Sequence, residues 1–359
     1  MKTSPLFETF KSLNAEFDNY HDWQLPKSVS NLGEEYSAIR DAAAMMERPY
    51  FDILKVSGKD HADLLHRMTT NELRNLKPGE GQINIFTNEK GRIIDRVVLQ
   101  KHDDSMMLTI SPGNAKKIAE WIETYTFIED VKIEDLSSIV DTLTLFGPNG
   151  SQILGKVFDQ DFSELPAHHL SKTAWKGKDV QIASTDELGV PGYNLFLDFT
   201  DVAELWQELV NAGSQVGLKP IGGEVYNVAR IEAGWPVYGK DFDDTINPHE
   251  ARMGPYINFD KGCYIGQEVV ARLDTYEKVQ KHLSGILLEG DSLPNEHDPI
   301  LIDDRKVGHL TSITHSIGLD QNVALGYVRT KYLTENASVV IETDKQNISG
   351  KLVKLPFVG

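Results

Sequence analysis

The chain of 359 residues has one cysteine, Cys263. A single thiol excludes a disulfide framework within the chain and any all-cysteine metal centre. No apolar run approaches the ~18 residues of a membrane-spanning helix. The opening MKTSPLFETF lacks the apolar stretch of a secretory signal, so a cytoplasmic protein is expected. Positive charge is also short. Lys and Arg number 36 against 54 Asp and Glu, a net charge of −18. That balance argues against nucleic acid, whose phosphates need a basic face, and leaves room only for a local basic pocket for a small anion. His61, His66, His102, His168, His169 and His249 show no metal-ligand spacing with a carboxylate. The acidic run Asp241–Asp244 (DFDD) lacks the alternation and terminal glutamate of a calcium loop. No bound metal is expected.

What is present is ordinary globular material. Hydrophobic residues make up 40% and charged residues 25%, so the chain can bury a core, and its length suits two or three domains. Short strand and helix patterns alternate. Residues 50–56 (YFDILKV) read as a strand, and Asp60–Leu73 as a helix with Leu64, Leu65 and Met68 on one face. Gly81–Thr87 and Arg92–Lys101 read as strands joined by the turn Asn88-Glu89-Lys90-Gly91. Asp201–Ala212 is the clearest helix. Val202, Leu205, Trp206, Leu209 and Val210 share one face, and Gly213 is placed to close it. From about Gln280 the pattern changes to short strands separated by Gly, Asp and Asn, as in an all-β module. The fold class is therefore α+β, with two subdomains over 1–275 and a β-barrel over 280–359.

Three segments are dense in polar residues, Gly and Pro: Gly81–Arg96, Tyr226–Glu250 and Lys261–Arg272. Loops of this composition carry function more often than core. The second segment contains Arg230, Glu232, Ala233 and Gly234, then Tyr238, Gly239, Asp241, Thr245, Pro248 and Glu250. This resembles the R-x-E-A-G, Y-G-x-D and T-x-x-P-x-E positions of the aminomethyltransferase family, the T protein of glycine cleavage. Trp23, Pro26, Glu35, Arg40, Asp41 and Ala43 resemble that family's opening, and VGHLTSITHSIGLDQNVALGYV resembles its barrel. In the third segment, Lys261-Gly262-Cys263-Tyr264-Ile265-Gly266-Gln267-Glu268 is similar to the K-G-C-[FY]-x-G-Q-E signature of the YgfZ-type folate-binding branch, extended by Ala271 and Arg272.

The resemblance implies a cloverleaf of two α+β subdomains and a barrel around a central funnel for tetrahydrofolate. It implies a folate-binding protein tied to iron–sulfur cluster assembly or repair, with iron–sulfur clients or assembly proteins as partners. A folate-dependent aminomethyl or other one-carbon transferase is the alternative, and a non-catalytic scaffold the third. Glu232 is the implied pterin ligand, since a carboxylate accepts an amine and a neighbouring ring N–H as a bidentate pair. Tyr238 would stack on the ring, and Arg230 and Arg272 would take the glutamate tail. Gln267 and Asn88 would line the pocket. Asp95 and Cys263 are the catalytic candidates. Two departures stand out. Arg96 follows Asp95 where the transferases carry a second acid, and a guanidinium cannot act as a base. In Leu188–Tyr193 (LGVPGY), Val190 stands where the transferases have an acid.

Overall fold

The computed structural model describes residues 1–275 and 278–358. The chain divides into two compact units. The first comprises Met1–Arg67, Glu72–Asn84 and Arg96–Tyr226, and the second Met68–Asn71, Ile85–Asp95 and the chain from Asn227 onward.

In the first unit a six-stranded sheet runs in the order Leu170–Trp175, Lys178–Thr185, Gly192–Asp198, Val140–Phe146, Ala43–Glu47, Leu218–Pro220. Alternate residues of these strands face one core. Ala43, Met45, Leu143, Leu145, Ile182, Leu195 and Leu197 pack there with Leu6 and Phe10 of the N-terminal segment and Leu205, Trp206 and Leu209 of the helix Val202–Gly213. The helix matches the expected apolar face. Gly213, however, is its last residue and not its stop. A 3-10 turn, Ser214–Val216, continues the chain, and Gly217 takes the left-handed conformation (φ 79°) instead. Gly213 is needed for closeness: a Cβ there would lie 2.5 Å from the Leu218 Cβ.

A second sheet orders Gly81–Thr87, Ile93–Lys101, Ser105–Ile110, Asp52–Ser57, Lys132–Asp135. The helix expected over Asp60–Leu73 stops early, at His61–Met68. Thr69 and Thr70 leave it to bridge Phe86 and to bond the Ile85 carbonyl (3.1 Å). Branched polar residues that find a strand partner outweigh one more helical turn.

In the second unit six strands close into a barrel: Lys281–Leu288, Gln321–Arg329, Arg305–Ser316, Pro299–Ile302, Ser338–Ile341, Ile348–Val353. The expectation of an α+β body with a C-terminal β-barrel is met. Two apolar clusters flank the barrel wall. One, Ile286, Leu288, Ile300, Leu310, Val328 and neighbours, fills it. The other joins Val323, Leu325 and Tyr327 to Ile85, Ile93, Ile231, Phe242 and Ile246. The pairing of Arg305–Ser316 with Gln321–Arg329 slips between Leu310 and Ser312, a β-bulge that governs the site described next. Among the described residues no helix is long and apolar enough to cross a membrane.

Candidate functional site

The three polar segments meet inside the second unit. Arg92 pairs with Glu250 at 3.1 Å, and the Ile93 N–H donates to the Ile246 carbonyl at 2.8 Å. Thr87 Oγ1 donates to the Ile265 carbonyl at 2.5 Å. Gly266, at φ 83°, lies against the Asn88 turn so closely that a Cβ would sit 2.4 Å from the Asn88 carbonyl oxygen. Only glycine fits both the conformation and the approach. His249 Nε2 and the Val270 carbonyl close the third side at 3.0 Å. Every expected site residue belongs to this unit: Asn88, Asp95, Arg230, Glu232, Tyr238, Cys263, Gln267 and Arg272.

Their individual settings differ. Asn88 is occupied by its own turn: Oδ1 accepts from the N–H groups of Lys90 and Arg92, each at 3.0 Å. Asp95 is fully buried on the strand Ile93–Lys101. Its neighbour Arg96 points to the other face of the strand and belongs to the first unit. There it helps to hold the His168 imidazole below its ordinary value, an effect of burial first, opposed by Asp186 and Glu187.

The helix Gly223–Glu232 carries both the arginine and the acid of the R-x-E-A-G motif. Arg230 is 2% exposed and does not present its charge outward as a tail-binding cation would. The guanidinium donates to Asp241 Oδ2 at 2.7 Å, Ser312 Oγ at 2.9 Å, Asn227 Oδ1 at 3.0 Å and the Trp235 carbonyl at 3.3 Å. Asp241 in turn accepts from Val237 N–H at 3.0 Å, Thr311 Oγ1 at 2.6 Å and Ser312 Oγ at 2.8 Å. The bulge explains how two consecutive strand residues reach one carboxylate, since regular alternation would turn one of them away. Glu232 has no exposed surface. Oε1 accepts from Ser316 Oγ at 2.6 Å and Gly318 N–H at 3.0 Å, and its backbone carbonyl accepts from Phe357 N–H at 2.7 Å. Tyr238 packs edge-on to Phe242, ring centroids 5.6 Å apart.

The third segment opens toward solvent. Cys263 is exposed. Lys261, two residues before the thiol, is turned inward: its Nζ donates to the carbonyls of Thr69 at 2.6 Å and Asn71 at 2.8 Å. Gln267 begins the helix Gln267–Thr275 and is half-buried. Arg272, on the same helix, is exposed and pairs with Glu268 at 2.6 Å, four residues earlier. Thr311, Ser312, Ser316 and the Thr69 and Asn71 carbonyls had no signal in the sequence that tied them to these segments.

The first unit has a buried charge cluster of its own beside the departing loop. Glu187, three residues before Val190, accepts a hydrogen bond from Arg48 Nη1, and Arg48 Nη2 donates to the Tyr226 hydroxyl at 3.0 Å. Burial opposes the Arg48 charge, and Glu187 more than offsets that, with help from Tyr226 and Tyr50. Burial drives the Tyr226 phenol well above its ordinary value.

Two family models cover nearly the whole chain: the GCVT N-terminal domain over residues 6–261 and the glycine cleavage T-protein C-terminal barrel domain over residues 281–359. Among curated proteins, an aminomethyltransferase of Halothermothrix orenii is 30% identical over 359 residues, covering 100% of both chains. One from Caldanaerobacter subterraneus subsp. tengcongensis is 27% identical over 92% of this chain and 89% of its own. Among solved structures, the glycine cleavage system aminomethyltransferase T from Bartonella henselae superposes with a TM-score of 0.90 at 21% identity, over 99% of this chain and 98% of that one, a likeness of fold. With that fold, those two segments and the end-to-end relatives together, the chain belongs to the aminomethyltransferase family of the glycine cleavage T protein.

Proposed function

We propose that the protein binds tetrahydrofolate and accepts a one-carbon unit on it, as a folate-dependent aminomethyl or related one-carbon transferase. The observation that carries this reading is the end-to-end likeness to proteins named aminomethyltransferase, 30% identical over 100% of both chains. The second unit supplies the groups. Glu232 is the pterin ligand, Tyr238 the stacking ring, Asn88 and Gln267 the flanking amides, and Arg272 the cation for the glutamate tail. Arg230 supports the site from behind through Asp241. Asp95 is the acid that holds or exchanges a proton beside folate N5 as the carbon is taken up.

Calorimetric titration with tetrahydrofolate and its 5-formyl form is the first test. Glu232→Gln keeps an oxygen for Ser316 and Gly318 but loses an acceptor for the pterin, so binding is expected to weaken at least tenfold with folding unchanged. Asp95→Asn is expected to bind normally and to lose about 10²–10⁴-fold in turnover with an aminomethyl donor, the range for removal of a general acid or base. Intact, folded protein that binds neither folate overturns the proposal.

A second reading rests on a specific observation. The K-G-C-Y-I-G-Q-E segment presents an exposed Cys263, which aminomethyl transfer does not use. In that reading the protein is of the YgfZ type and serves iron–sulfur clusters. One thiol supplies one ligand where a cluster takes about four, so partner thiols complete the site. Folate binding without turnover, with cluster-enzyme activity in cells lost on Cys263→Ser, selects it over the transferase.

A further inference from the structure

Outside the proposed site, one lysine stands apart. Lys101 ends the strand Ile93–Lys101, and its backbone is held on both sides: its N–H donates to the Glu80 carbonyl and its carbonyl accepts from Gly79 N–H, both at 2.8 Å. Its side chain meets His61, at the start of the helix His61–Met68, with Nζ 2.9 Å from His61 Nε2. The tautomer of His61 follows from its other nitrogen. Nδ1 lies 2.5 Å from the Gly58 carbonyl, which can only accept, so Nδ1 carries the proton and Nε2 offers its lone pair to Lys101.

Other lysines of the first unit are held differently. Lys172, Lys178 and Lys219 lie 2.9, 2.5 and 2.6 Å from a carboxylate. A carboxylate partner keeps an ammonium protonated, and Lys178 is accordingly raised, chiefly by its bond to Asp201. Among the described residues no carboxylate lies within ion-pairing distance of Lys101. Asp103 is engaged by Lys172, and Asp104 and Asp103 act on Lys101 only from further away. Lys101 is lowered from its ordinary value, by burial first. Burial also lowers His61, so the imidazole stays neutral and remains an acceptor at neutral pH.

We propose that Lys101 is a site of acyl modification, its amine attacking activated acyl groups of the acyl-phosphate or acyl-thioester class with His61 taking the proton. The ammonium first gives a proton to solvent. The amine nitrogen then bonds to the acyl carbon, and the carbon–oxygen or carbon–sulfur bond of the donor breaks. Phosphate or thiolate leaves with the electron pair, and the proton lost from nitrogen passes to His61 Nε2 and on to solvent or the leaving group. The product amide keeps one N–H, which still donates to Nε2, so the modified side chain retains its partner while the chain loses one positive charge.

The test follows acetylation of the whole protein at pH 7.5 by peptide mass spectrometry, with acetyl phosphate in one arm and acetyl-coenzyme A in the other. The arms distinguish the two donors. Lys101 is expected to react at least about tenfold faster than exposed Lys59 and Lys90, because the His61 lone pair takes the proton that the attacking amine sheds. His61→Asn keeps a donor for Gly58 and removes Nε2, and is expected to bring Lys101 down to the rate of Lys59. Should that variant misfold, the pH profile of labelling in the unaltered protein decides, with the Lys101 rate levelling below the ordinary lysine range. Labelling of Lys101 no faster than Lys59 with both donors, a folded His61→Asn protein with an unchanged Lys101 rate, or a Lys101 profile that levels within the ordinary lysine range overturns the proposal.

Discussion

Asp241→Ala is expected to destabilise the second unit by about 3–5 kcal/mol, the effect of stranding one member of a buried ion pair. Asp241 is 1% exposed and Arg230 2%, so water does not reach either to compensate. Removing the carboxylate leaves the guanidinium with neutral partners only, strips the Val237 N–H of its acceptor and leaves Thr311 Oγ1 only the Leu325 carbonyl at 3.3 Å. Each further buried group left without a partner adds about 1–3 kcal/mol unless the loop relaxes. Because the chain has two compact units, a single melting temperature does not isolate the effect. Hydrogen exchange of peptides spanning the bulge at Leu310–Ser312, measured against urea, does. Arg230→Met on top of Asp241→Ala is expected to recover part of the loss, since no charge then remains buried. A single variant that loses less than about 1 kcal/mol, or a double variant worse than the two singles summed, would show that this pair does not act as one unit.

Glu47→Gln is expected to do the opposite and stabilise the protein above neutral pH. Glu47 and Asp141 lie on neighbouring strands of the six-stranded sheet, and both side chains face the apolar core. Leu143, two residues from Asp141, pairs directly with Glu47. Both acids are almost wholly buried, and among the described residues no hydrogen bond of ordinary geometry reaches either oxygen of Glu47 or Oδ2 of Asp141. Burial, then the charge of Asp141, holds Glu47 well above the usual carboxylate range, with Ser4 and the Leu6 N–H easing it slightly. Burial pushes Asp141 up to about 7, moderated by the Thr142 N–H and by Glu47. The folded pair thus keeps a proton that the unfolded chain releases near pH 4, where free carboxyls titrate. Folding then binds protons, and stability falls as pH rises from about 4 through 7. A glutamine amide donates to Asp141 permanently. Urea unfolding at pH 5, 6, 7 and 8 should show a shallower decline for the variant and a more stable variant than parent at pH 8. Parallel declines in the two proteins would remove the shared proton from the account.

The same two clusters mark what can be read from a sequence and what cannot. The barrel and the Asn88–Gly91 turn follow from local patterns, since strand alternation and turn residues act over a few positions. The helix Val202–Gly213 follows from its apolar face for the same reason. The convergence of the three polar segments was legible only as three separate peculiarities. Asp241 reads as one of several acids in an exposed-looking run, because its partners Thr311 and Ser312 lie some seventy residues away and reach it through a register slip. Glu47 and Asp141 occupy apolar-facing positions of otherwise unremarkable strands, and their pairing depends on which strands become neighbours. Lys261 illustrates the limit at short range. It stands two residues from Cys263 along the chain, yet two backbone carbonyls from Thr69 and Asn71 claim its charge. Partners supplied from distant chain segments decide such cases.

The composition of the second unit sets an order on biosynthesis. Ile85 and Ile93 leave the ribosome early, yet the cluster that covers them contains Val323, Leu325 and Tyr327. At the usual ~5–20 residues per second, those strand residues wait roughly 12–48 s for their partners. During that interval an apolar hairpin with strand propensity stands uncovered, a substrate for chaperones and a seed for aggregation. Translation speed between Ile93 and Val323 therefore bears on yield, and a nascent chain stalled before the barrel is complete leaves those earlier strands without their core.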